Sequence, residues 1–392
     1  MNGRTILFAW ELGGGFGHVT TLARVARALA ARGHRPVFAH REYVSAWPVI
    51  RDLPYPVLPA PHFFKPLPPG KSFLAASFTD ILGINGYDSV ESLLPLARAW
   101  DGLIAGVRPD LIVTDYAPTL AVVAGGRIPV VDVGHGFTQP PTDGVTFPPF
   151  LEDEPPTVST ETVLATVRAV QKSLGRPEAE TLPQMYAGVD AHLCVLPEMD
   201  PFTDLRPGRA IGPLEPLPEP SPLPAEPWFF AYLTTAVTST EPVLEVLRKA
   251  GFAGGAYIRG DDPGLKDRLR GLGLELFDRP PPLPEVFRRA RVIVHHAGLQ
   301  TAQAALAAGR PQLVFPEHLE HILNAAALFH LGVAHSLTHE FPANDVAEGM
   351  RQLLFEPRFA NKAADVAERV RRTGPWDALP KVLAACEKYL SR

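Results

Sequence analysis

The sequence predicts an α/β protein with two doubly wound domains. Its length of 392 residues exceeds what one hydrophobic core usually organises. In both halves of the chain, short apolar runs alternate with segments of helical periodicity, which is the pattern of parallel strands joined by helices. A proline-rich stretch at 207–227 predicts a stiff linker, with a long surface loop inside one domain as the alternative. We therefore expect domains at 1–206 and 228–375, followed by a helix at 376–392.

The first domain is expected to open with a strand, a glycine-rich loop and a helix. An apolar run at 5–10 precedes the glycines at 13–17, and apolar residues at 22–30 recur at helical spacing. Thr20 or Thr21 is expected to cap the start of this helix. Further strands are predicted at 36–39, 111–113 and 130–133, with a helix at 120–124.

The second domain repeats this alternation of strands and helices. Strands are predicted at 229–233, 256–258, 292–294 and 312–315. Helices are predicted at 242–250, 264–270, 301–308 and 321–331. Because ligands bind at the carboxyl ends of parallel strands, we expect the functional residues in the loops after the strands, facing a cleft between the two domains.

Composition and charge exclude several classes of function. The formal net charge is −5, and no block of lysine and arginine suggests a nucleic-acid surface. No apolar stretch reaches the length of a transmembrane helix, and the N-terminal apolar run is too short for a signal peptide. Cys194 and Cys386 stand far apart and form no metal or redox motif, which is typical of a reduced cytosolic protein. We expect a soluble, cytoplasmic protein.

The loop after the predicted strand at 292–294 has the composition of an anion site. The strand is followed by a turn that contains His296 and Gly298, and then by a helix predicted to begin at Thr301. The amides and dipole at a helix start attract a phosphate, and glycine permits its close approach. His296 and Thr301 are able to donate hydrogen bonds to its oxygens. The alternative is an ordinary turn with a capping threonine.

This loop and a later segment resemble the donor signature of family 1 glycosyltransferases, which include plant UDP-glycosyltransferases and bacterial macrolide and antibiotic glycosyltransferases. The matching residues, at the family's spacing, are His296, Gly298, Gln300, Thr301, Pro316, Glu320, His321 and Asn324. The resemblance implies a GT-B fold, in which two Rossmann-like domains face each other across a cleft and the last helix returns to the first domain.

The same resemblance implies where the donor binds. The predicted diphosphate site consists of His296, Gly298, Gln300, Thr301, Gly17 and Thr234. Glu320 and His321 are expected to face the sugar hydroxyls. Two residues depart from the family pattern, because Gln300 replaces the usual Asn or Gly and His321 replaces the usual Gln.

A glycine–histidine loop in the first half resembles the same family. Gly15-Phe16-Gly17-His18 is followed by a helix that ends in Arg32-Gly33-His34. The resemblance implies that His18 is the catalytic base and that Asp115, at the end of a predicted strand, orients it. An imidazole titrates near neutral pH and is able to accept a hydroxyl proton when a partner holds its other nitrogen. The alternatives are a loop histidine and a helix-capping aspartate.

Aromatic residues predict an apolar acceptor site in the first domain. Phe63, Phe64 and Phe78 lie in a segment of poor periodicity, where they either line a pocket or pack under a long loop. His135 and Phe137 follow the strand at 130–133 and are further candidates on the acceptor side.

The resemblance implies an inverting, metal-independent transfer of a sugar from a UDP- or dTDP-sugar to a hydroxyl of a small-molecule acceptor, without a cofactor. A non-catalytic, glycosyltransferase-like auxiliary protein and a GT-B sugar-nucleotide epimerase are alternatives. A dinucleotide-dependent oxidoreductase would place Glu42 on the ribose, but His18 stands where the third glycine of its motif is needed.

Histidine pairs suggest a metal site only weakly. His318 with His321, or His335 with His339, would share a helical face, but no third ligand accompanies either pair. Asp261-Asp262 stands before Pro263 and is typical of a turn rather than a metal-binding motif. We therefore expect no metal ligand in this chain.

Overall fold

The computed structural model describes residues 3–66, 73–152, 154–260, 262–337 and 341–391. Asp261 and His339, which belong to the metal hypotheses, lie outside the described residues. The chain divides into two compact units, of which the first comprises Met1–Glu215 and Asp377–Arg392 and the second Pro216–Trp376. No helix among the described residues is long and apolar enough to cross a membrane.

The described residues of the first unit form six strands and seven α-helices. The strands are β1 (Thr5–Trp10), β2 (Arg35–His40), β3 (Val57–Pro59), β4 (Leu111–Asp115), β5 (Val130–Asp132) and β6 (Val189–Ala191). The helices are α1 (Gly17–Ala30), α2 (Tyr43–Ile50), α3 (Phe78–Leu82), α4 (Val90–Val107), α5 (Pro118–Ala124), α6 (Thr160–Ser173) and α14 (Leu379–Leu390). A π-helical turn spans Gly83–Tyr87, and short 3₁₀ turns span Leu182–Tyr186 and Pro197–Met199.

The six strands of the first unit form one parallel sheet in the order β3-β2-β1-β4-β5-β6. Both faces of the central strand β1 are buried, which explains its unbroken apolar run. One hydrophobic core of this unit joins residues of β1, α1 and α14, and Val382, Leu383 and Cys386 of α14 are buried in it. The last helix is therefore packed in the first unit, and this packing buries its apolar stripe.

The second unit has the same plan. Its strands are β7 (Trp228–Thr234), β8 (Ala253–Arg259), β9 (Glu275–Phe277), β10 (Val292–His295), β11 (Gln312–Val314) and β12 (Ala334–Ser336). Its helices are α7 (Thr240–Lys249), α8 (Pro263–Gly271), α9 (Leu283–Arg289), α10 (Leu299–Ala308), α11 (Leu319–His330), α12 (Ala343–Phe355) and α13 (Pro357–Thr373). The parallel sheet has the order β12-β11-β10-β7-β8-β9. When the strands are counted from β7, this is the strand order of the first sheet.

Two helices begin before the threonines predicted to start them. The α1 helix begins at Gly17, so Thr20 and Thr21 are its fourth and fifth residues and the predicted threonine cap is wrong. The α10 helix begins at Leu299, after an extended Gly298, and Thr301 is its third residue rather than its start. In both cases a glycine at the end of a strand loop lets the chain enter the helix at once, and no side chain caps the first amides.

Residues 216–227 contain neither helix nor strand, and the buried Arg310 fastens part of this stretch to the second unit. The Arg310 guanidinium donates to the Ser221 carbonyl oxygen at 2.8 Å and to the Pro222 carbonyl oxygen at 3.0 Å. It also donates to the carbonyl oxygen of Phe287. Arg310 thus connects Ser221 and Pro222 to α9, and this part of the stretch is fixed to the second unit.

Candidate functional site

The predicted functional loops of each unit lie at the point where the strand order reverses. In the first sheet this point is between β1 and β4, and Trp10 at the end of β1 pairs with Asp115 at the end of β4. In the second sheet it is between β7 and β10, where Tyr232 pairs with His295. The loops that leave neighbouring strands at such a point diverge to opposite faces of the sheet and open a crevice for ligands.

The structure brings His18 and Asp115 together at the first of these points. His18 is the second residue of α1 and is 7% exposed, while Asp115 is the last residue of β4 and is 3% exposed. The Nδ1 atom of His18 lies 3.0 Å from Oδ1 of Asp115. This distance suits a carboxylate that fixes the tautomer and orientation of an imidazole.

Aromatic rings enclose the His18 imidazole. The ring centroid of Trp10 lies 5.4 Å away, that of Tyr116 lies 5.8 Å away and that of His135 lies 6.4 Å away. Tyr116 has a φ of 56°, an uncommon conformation for a residue other than glycine. Strain of this kind persists only where surrounding structure imposes it, and it is concentrated at functional sites.

Gly13 passes close to the Nε2 atom of His18. A Cβ atom at this position would lie 2.7 Å from Nε2 of His18 and 3.0 Å from the Tyr116 ring, and the φ of Gly13 is +78°. Both the space and the backbone conformation therefore require glycine here. The glycine cluster after β1 thus lets the loop pass close to the imidazole.

A buried acid ties the two loops of the first unit together. The Glu11 carboxylate accepts hydrogen bonds from the Thr119 amide at 2.9 Å and from the Thr119 hydroxyl at 2.5 Å. The Leu12 amide donates to the Tyr116 carbonyl oxygen at 2.9 Å. Burial raises the pKa of Glu11 to about 8, although the bonds from Thr119 oppose the shift. The loop after β1 and the turn after β4 are therefore held as one piece.

The loop after β10 carries two histidines and an alanine in a tight turn. His295 Nε2 lies 2.8 Å from Gln312 Oε1, and the Ala297 amide donates to His295 Nδ1. Ala297 has a φ of 61°, and its carbonyl oxygen accepts from Asn324 on α11 at 3.0 Å. The Asn324 of the signature is thus a support for the turn.

The hydrogen bond that His296 makes decides which of its nitrogens carries a proton. Its Nδ1 lies 3.1 Å from the Phe315 carbonyl oxygen, and because a carbonyl only accepts, Nδ1 is the donor. Burial lowers the pKa of His296, so its Nε2 holds a lone pair at neutral pH. This Nε2 is buried and has no hydrogen-bond partner among the described residues. Donation from Nε2 to a phosphate oxygen therefore requires that His296 takes up a proton.

The predicted sugar residues lie in the first turn of α11. The ring of His321 stacks on that of His318, with centroids 3.7 Å apart, and is nearly parallel to the ring of His296 at 6.5 Å. Burial, followed by repulsion from neighbouring histidines and Arg259, lowers the pKa of His321 to about 2. His321 is therefore a neutral imidazole, with one donor and one acceptor nitrogen. Glu320 precedes it in the same turn.

Gln300 and Thr301, in the first turn of α10, line an apolar cavity of about 210 Å³. Its other walls include Phe230, Tyr232, Pro281 and Phe287. The remaining predicted donor residues lie at helix and strand ends. Gly17 is the first residue of α1, and Thr234 ends β7, where its carbonyl oxygen accepts from the Thr240 hydroxyl.

The aromatic candidates for the acceptor site occupy different environments. Phe78 is fully buried and packs on Phe147 and Tyr116 as part of the core. Phe64 is 51% exposed, and Phe63 is half-buried beside Gly86. Phe137 and His135 are half-buried, on the turn after β5 that lies beside His18.

Several residues at these sites have no sequence signal of their own. Trp10, Glu11, Gly13, Tyr116 and Asp132 are placed by the tertiary structure around His18 and Asp115. Only their positions next to predicted strand ends could have drawn attention to them. In the part of the chain that the structure describes, no group of three or more His, Cys, Asp or Glu residues is arranged to hold a metal ion.

Comparisons with known proteins identify the C-terminal part of the chain. A family model for the C-terminal domain of erythromycin biosynthesis protein CIII-like proteins matches residues 277–382. Elloramycin glycosyltransferase ElmGT of Streptomyces olivaceus is 40% identical over 90 residues, which are 23% of this chain and 22% of that protein. Aclacinomycin-T 2-deoxy-L-fucose transferase of Streptomyces galilaeus is 31% identical over 103 residues, 25% of this chain and 23% of that protein. The chain thus matches less than a quarter of the length of each of these curated relatives.

Solved structures match over the whole chain. The calicheamicin glycosyltransferase CalG4 has a TM-score of 0.69 at 18% identity and covers 100% of this chain and 99% of its own. The glycosyltransferase SsfS6 of Streptomyces sp. SF2575, complexed with thymidine diphosphate, has a TM-score of 0.59 at 16% identity, with coverages of 98% and 99%. These likenesses confirm the predicted GT-B fold. Residues 277–382 are in addition similar to the C-terminal domain of erythromycin biosynthesis protein CIII-like proteins.

Proposed function

We propose that the protein is an inverting, metal-independent glycosyltransferase that moves a sugar from a dTDP- or UDP-sugar to a hydroxyl of a small-molecule acceptor. The observation that carries the proposal is the pair of His18 Nδ1 and Asp115 Oδ1, which lie 3.0 Å apart at the switch point of the first sheet. A protein that only bound a sugar nucleotide would gain nothing from a buried imidazole held by a carboxylate.

His18 is proposed as the general base. As the acceptor oxygen attacks the anomeric carbon, Nε2 of His18 takes the hydroxyl proton, and the Asp115 carboxylate stabilises the imidazolium that forms. The bond between the anomeric carbon and the diphosphate oxygen breaks, and its electron pair leaves with the nucleoside diphosphate. Attack from the face opposite to the leaving group inverts the anomeric carbon.

The start of α10 is proposed to hold the diphosphate. The first amides of this helix lack side-chain caps and are available to phosphate oxygens, and the helix dipole favours the negative charge. Protonated His296 and the hydroxyl of Thr301 would add donors. These groups take the part that a cation plays at other leaving diphosphates, which is the basis of the proposed metal independence.

The cavity beside Gln300 and Thr301 is proposed to hold the nucleobase. Its volume of about 210 Å³ is smaller than a pocket for a whole ligand, and its apolar walls suit a flat ring such as thymine with its methyl group. The bound thymidine diphosphate named for SsfS6 supports a dTDP donor.

A deoxysugar is the proposed glycosyl group. The family's usual Gln offers two donor hydrogens and an acceptor at this position, whereas the neutral His321 offers one donor and one acceptor. A site with fewer polar partners suits a sugar with fewer hydroxyls, because an unpaired buried polar group would otherwise be costly. The name of the related 2-deoxy-L-fucose transferase supports this choice.

A donor screen tests the proposal. The full chain is incubated with dTDP-, UDP- and GDP-sugars, including dTDP-deoxysugars, and with the aglycones of elloramycin and aclacinomycin, and products are analysed by mass spectrometry. Thermal shift with each nucleotide reports binding independently. Binding without any transferred sugar across the panel would favour a non-catalytic auxiliary protein, and inversion of configuration at C2 or C4 of the donor would favour an epimerase.

Metal independence is tested with the same products. We expect full activity in excess EDTA, because helix amides and side chains neutralise the leaving diphosphate. Loss of activity that Mg²⁺ or Mn²⁺ restores would contradict this part of the proposal.

A further inference from the structure

The turn after β5 is closed by its own hydrogen bonds. The His135 amide donates to the Thr138 hydroxyl at 2.9 Å, and the amides of Thr138 and Gln139 both donate to the His135 carbonyl oxygen. A Cβ atom at Gly134 would lie 2.5 Å from the Thr138 hydroxyl oxygen, so the turn is too tight for a side chain there. The backbone of His135 therefore has little freedom.

A buried carboxyl group fastens this turn to the sheet. Asp132 accepts from the Thr114 hydroxyl at 2.6 Å and, through its other oxygen, from Gln139 Nε2 at 2.6 Å. On the far side, the Gln139 carbonyl oxygen accepts from Arg206, whose guanidinium is paired with Asp200. A buried polar network whose members are all paired makes a site rigid.

The turn places a second imidazole beside the proposed base. The ring of His135 is nearly parallel to that of His18, with an interplanar angle of 14° and centroids 6.4 Å apart. His135 is half-buried, whereas His18 is 7% exposed. A group that His18 contacts would therefore also come within reach of His135.

We propose that His135 binds a second oxygen of the acceptor, next to the reacting hydroxyl, and that Asp132 and Gln139 position it for this contact. The inference rests on the proposed function. The rings are close enough for one acceptor to offer an oxygen to each at hydrogen-bond distances of about 2.7–3.0 Å, and oxygens on neighbouring carbon atoms, as in a catechol or a vicinal diol, are a compact pair of this kind. The proposed acceptor thus carries two oxygens on neighbouring carbon atoms, and His135 selects acceptors that have the second oxygen.

Calorimetric binding of two probes to the full chain tests the assignment. The probes are 2,3-dihydroxynaphthalene and 2-naphthol, which differ by one neighbouring hydroxyl. We expect wild type to bind the diol roughly three- to tenfold more tightly, the effect of one hydrogen bond between neutral groups. His135→Ala should bind both probes equally, and His135→Gln should retain part of the preference. His192→Ala, a histidine of the same unit that pairs with Asp190, is the matched control and should keep the full preference.

The positioning role has its own variants. Gln139→Leu and Asp132→Asn should both reduce the preference for the diol, although both variants keep His135. If Asp132→Asn fails to fold, Gln139→Leu still tests the positioning role, because it keeps the buried carboxyl group of Asp132. Equal or no binding of the two probes by wild type, or an unchanged preference in His135→Ala, would overturn the inference. If His18→Ala abolishes turnover while His135→Ala keeps the preference, only this inference fails. If His135→Ala loses the preference while His18→Ala keeps turnover, the inference holds and the proposed base is wrong.

Discussion

The two units place their candidate functional loops at the same point of the same strand order, but different buried titratable groups lie behind these loops. Among the described residues, the buried carboxyl groups all lie in the first unit, namely Glu11, Asp80, Asp115, Asp132 and Asp200. The corresponding region of the second unit contains the buried imidazoles of His295 and His296. A carboxylate close to an imidazole, as Asp115 is to His18, stabilises the imidazole when it accepts a proton, whereas a carboxylate beside a diphosphate would repel it. The same fold would thus serve the two proposed chemistries because the groups behind the loops differ.

The largest effect is expected at the base of the first unit. His18→Ala should lower turnover by roughly 10²–10⁴-fold and leave nucleotide binding nearly unchanged, because His18 is proposed to act on the acceptor. Asp115→Asn should cost less, through misorientation of the imidazole. Initial rates at saturating substrates, with calorimetric nucleotide binding as the control, separate the two effects. Near-wild-type turnover of His18→Ala would show that the first unit does not supply the general base.

The second unit should respond in nucleotide affinity instead. His296→Ala removes the proposed donor to charged diphosphate oxygens, and it should therefore weaken binding of the nucleoside diphosphate roughly tenfold or more. Because Nε2 of His296 must gain a proton to donate, wild-type affinity should also fall as pH rises, and this dependence should weaken in His296→Ala.

His321→Gln is the matched variant for this test. It should leave binding of the bare nucleoside diphosphate unchanged and alter the ranking of sugar donors, since His321 is assigned to the sugar. Calorimetry with the nucleotide alone and competition between donors measure the two quantities. If His321→Gln and His296→Ala lose equal nucleotide affinity, the proposal that His296 binds the diphosphate and His321 the sugar is wrong.

Two buried groups, Glu11 in the first unit and His295 in the second, should also make protein stability respond to pH in opposite directions. Burial raises the pKa of Glu11 to about 8, so the folded protein holds a proton that the unfolded chain releases near the ordinary glutamate pKa of 4.5. Between these values the folded state binds more protons, and its stability falls as pH rises. The free energy of unfolding of Glu11→Gln relative to wild type should therefore increase from pH 5 to pH 8, by at most about 1.4 kcal/mol per pH unit.

His295 in the second unit should act in the opposite direction. Burial lowers its pKa to about 4, so the unfolded chain binds the extra proton between pH 6.5 and 4. The free energy of unfolding of the wild type therefore decreases as pH falls through this range, and the decrease should be smaller in His295→Gln. Denaturant unfolding of wild type and both variants at pH 5 and pH 8 is the measurement. A constant stability difference across this range for either variant would contradict the corresponding pKa shift.

The smallest effect concerns a strain that both units share. Tyr116 after β4 and Ala297 in the turn after β10 both have a left-handed backbone, with φ of 56° and 61°. Left-handed geometry costs a residue other than glycine about 1 kcal/mol. Ala297→Gly relieves that cost but adds unfolded-state entropy, so its stability should lie within about 1 kcal/mol of wild type, whereas Ala297→Val should be clearly less stable. Thermal unfolding of the two variants decides, and an equally stable Ala297→Val would show that the turn is not strained.

The alternation of strands and helices, and the loops that hold the candidate site residues, can be predicted from the amino-acid sequence alone. The long central strands β1, β4, β7 and β10 are buried on both faces, and their apolar runs are visible without a structure. Four strands that the sequence does not reveal, β3, β6, β9 and β12, have three residues each and lie at the sheet edges. A run of three residues is too short for periodicity, and only pairing with a neighbour makes it a strand.

His18, Asp115 and the loop at 295–301 were also accessible from the sequence, because each follows an apolar run at a recognisable spacing. Which distant residues meet, by contrast, follows from the packing of the folded chain. The approach of His135 to His18, the hold of Glu11 on Thr119 and the proton position on His296 all depend on contacts across many intervening residues. Local patterns record the chemical type of a side chain, whereas packing decides its neighbours, and the neighbours set its proton affinity and orientation.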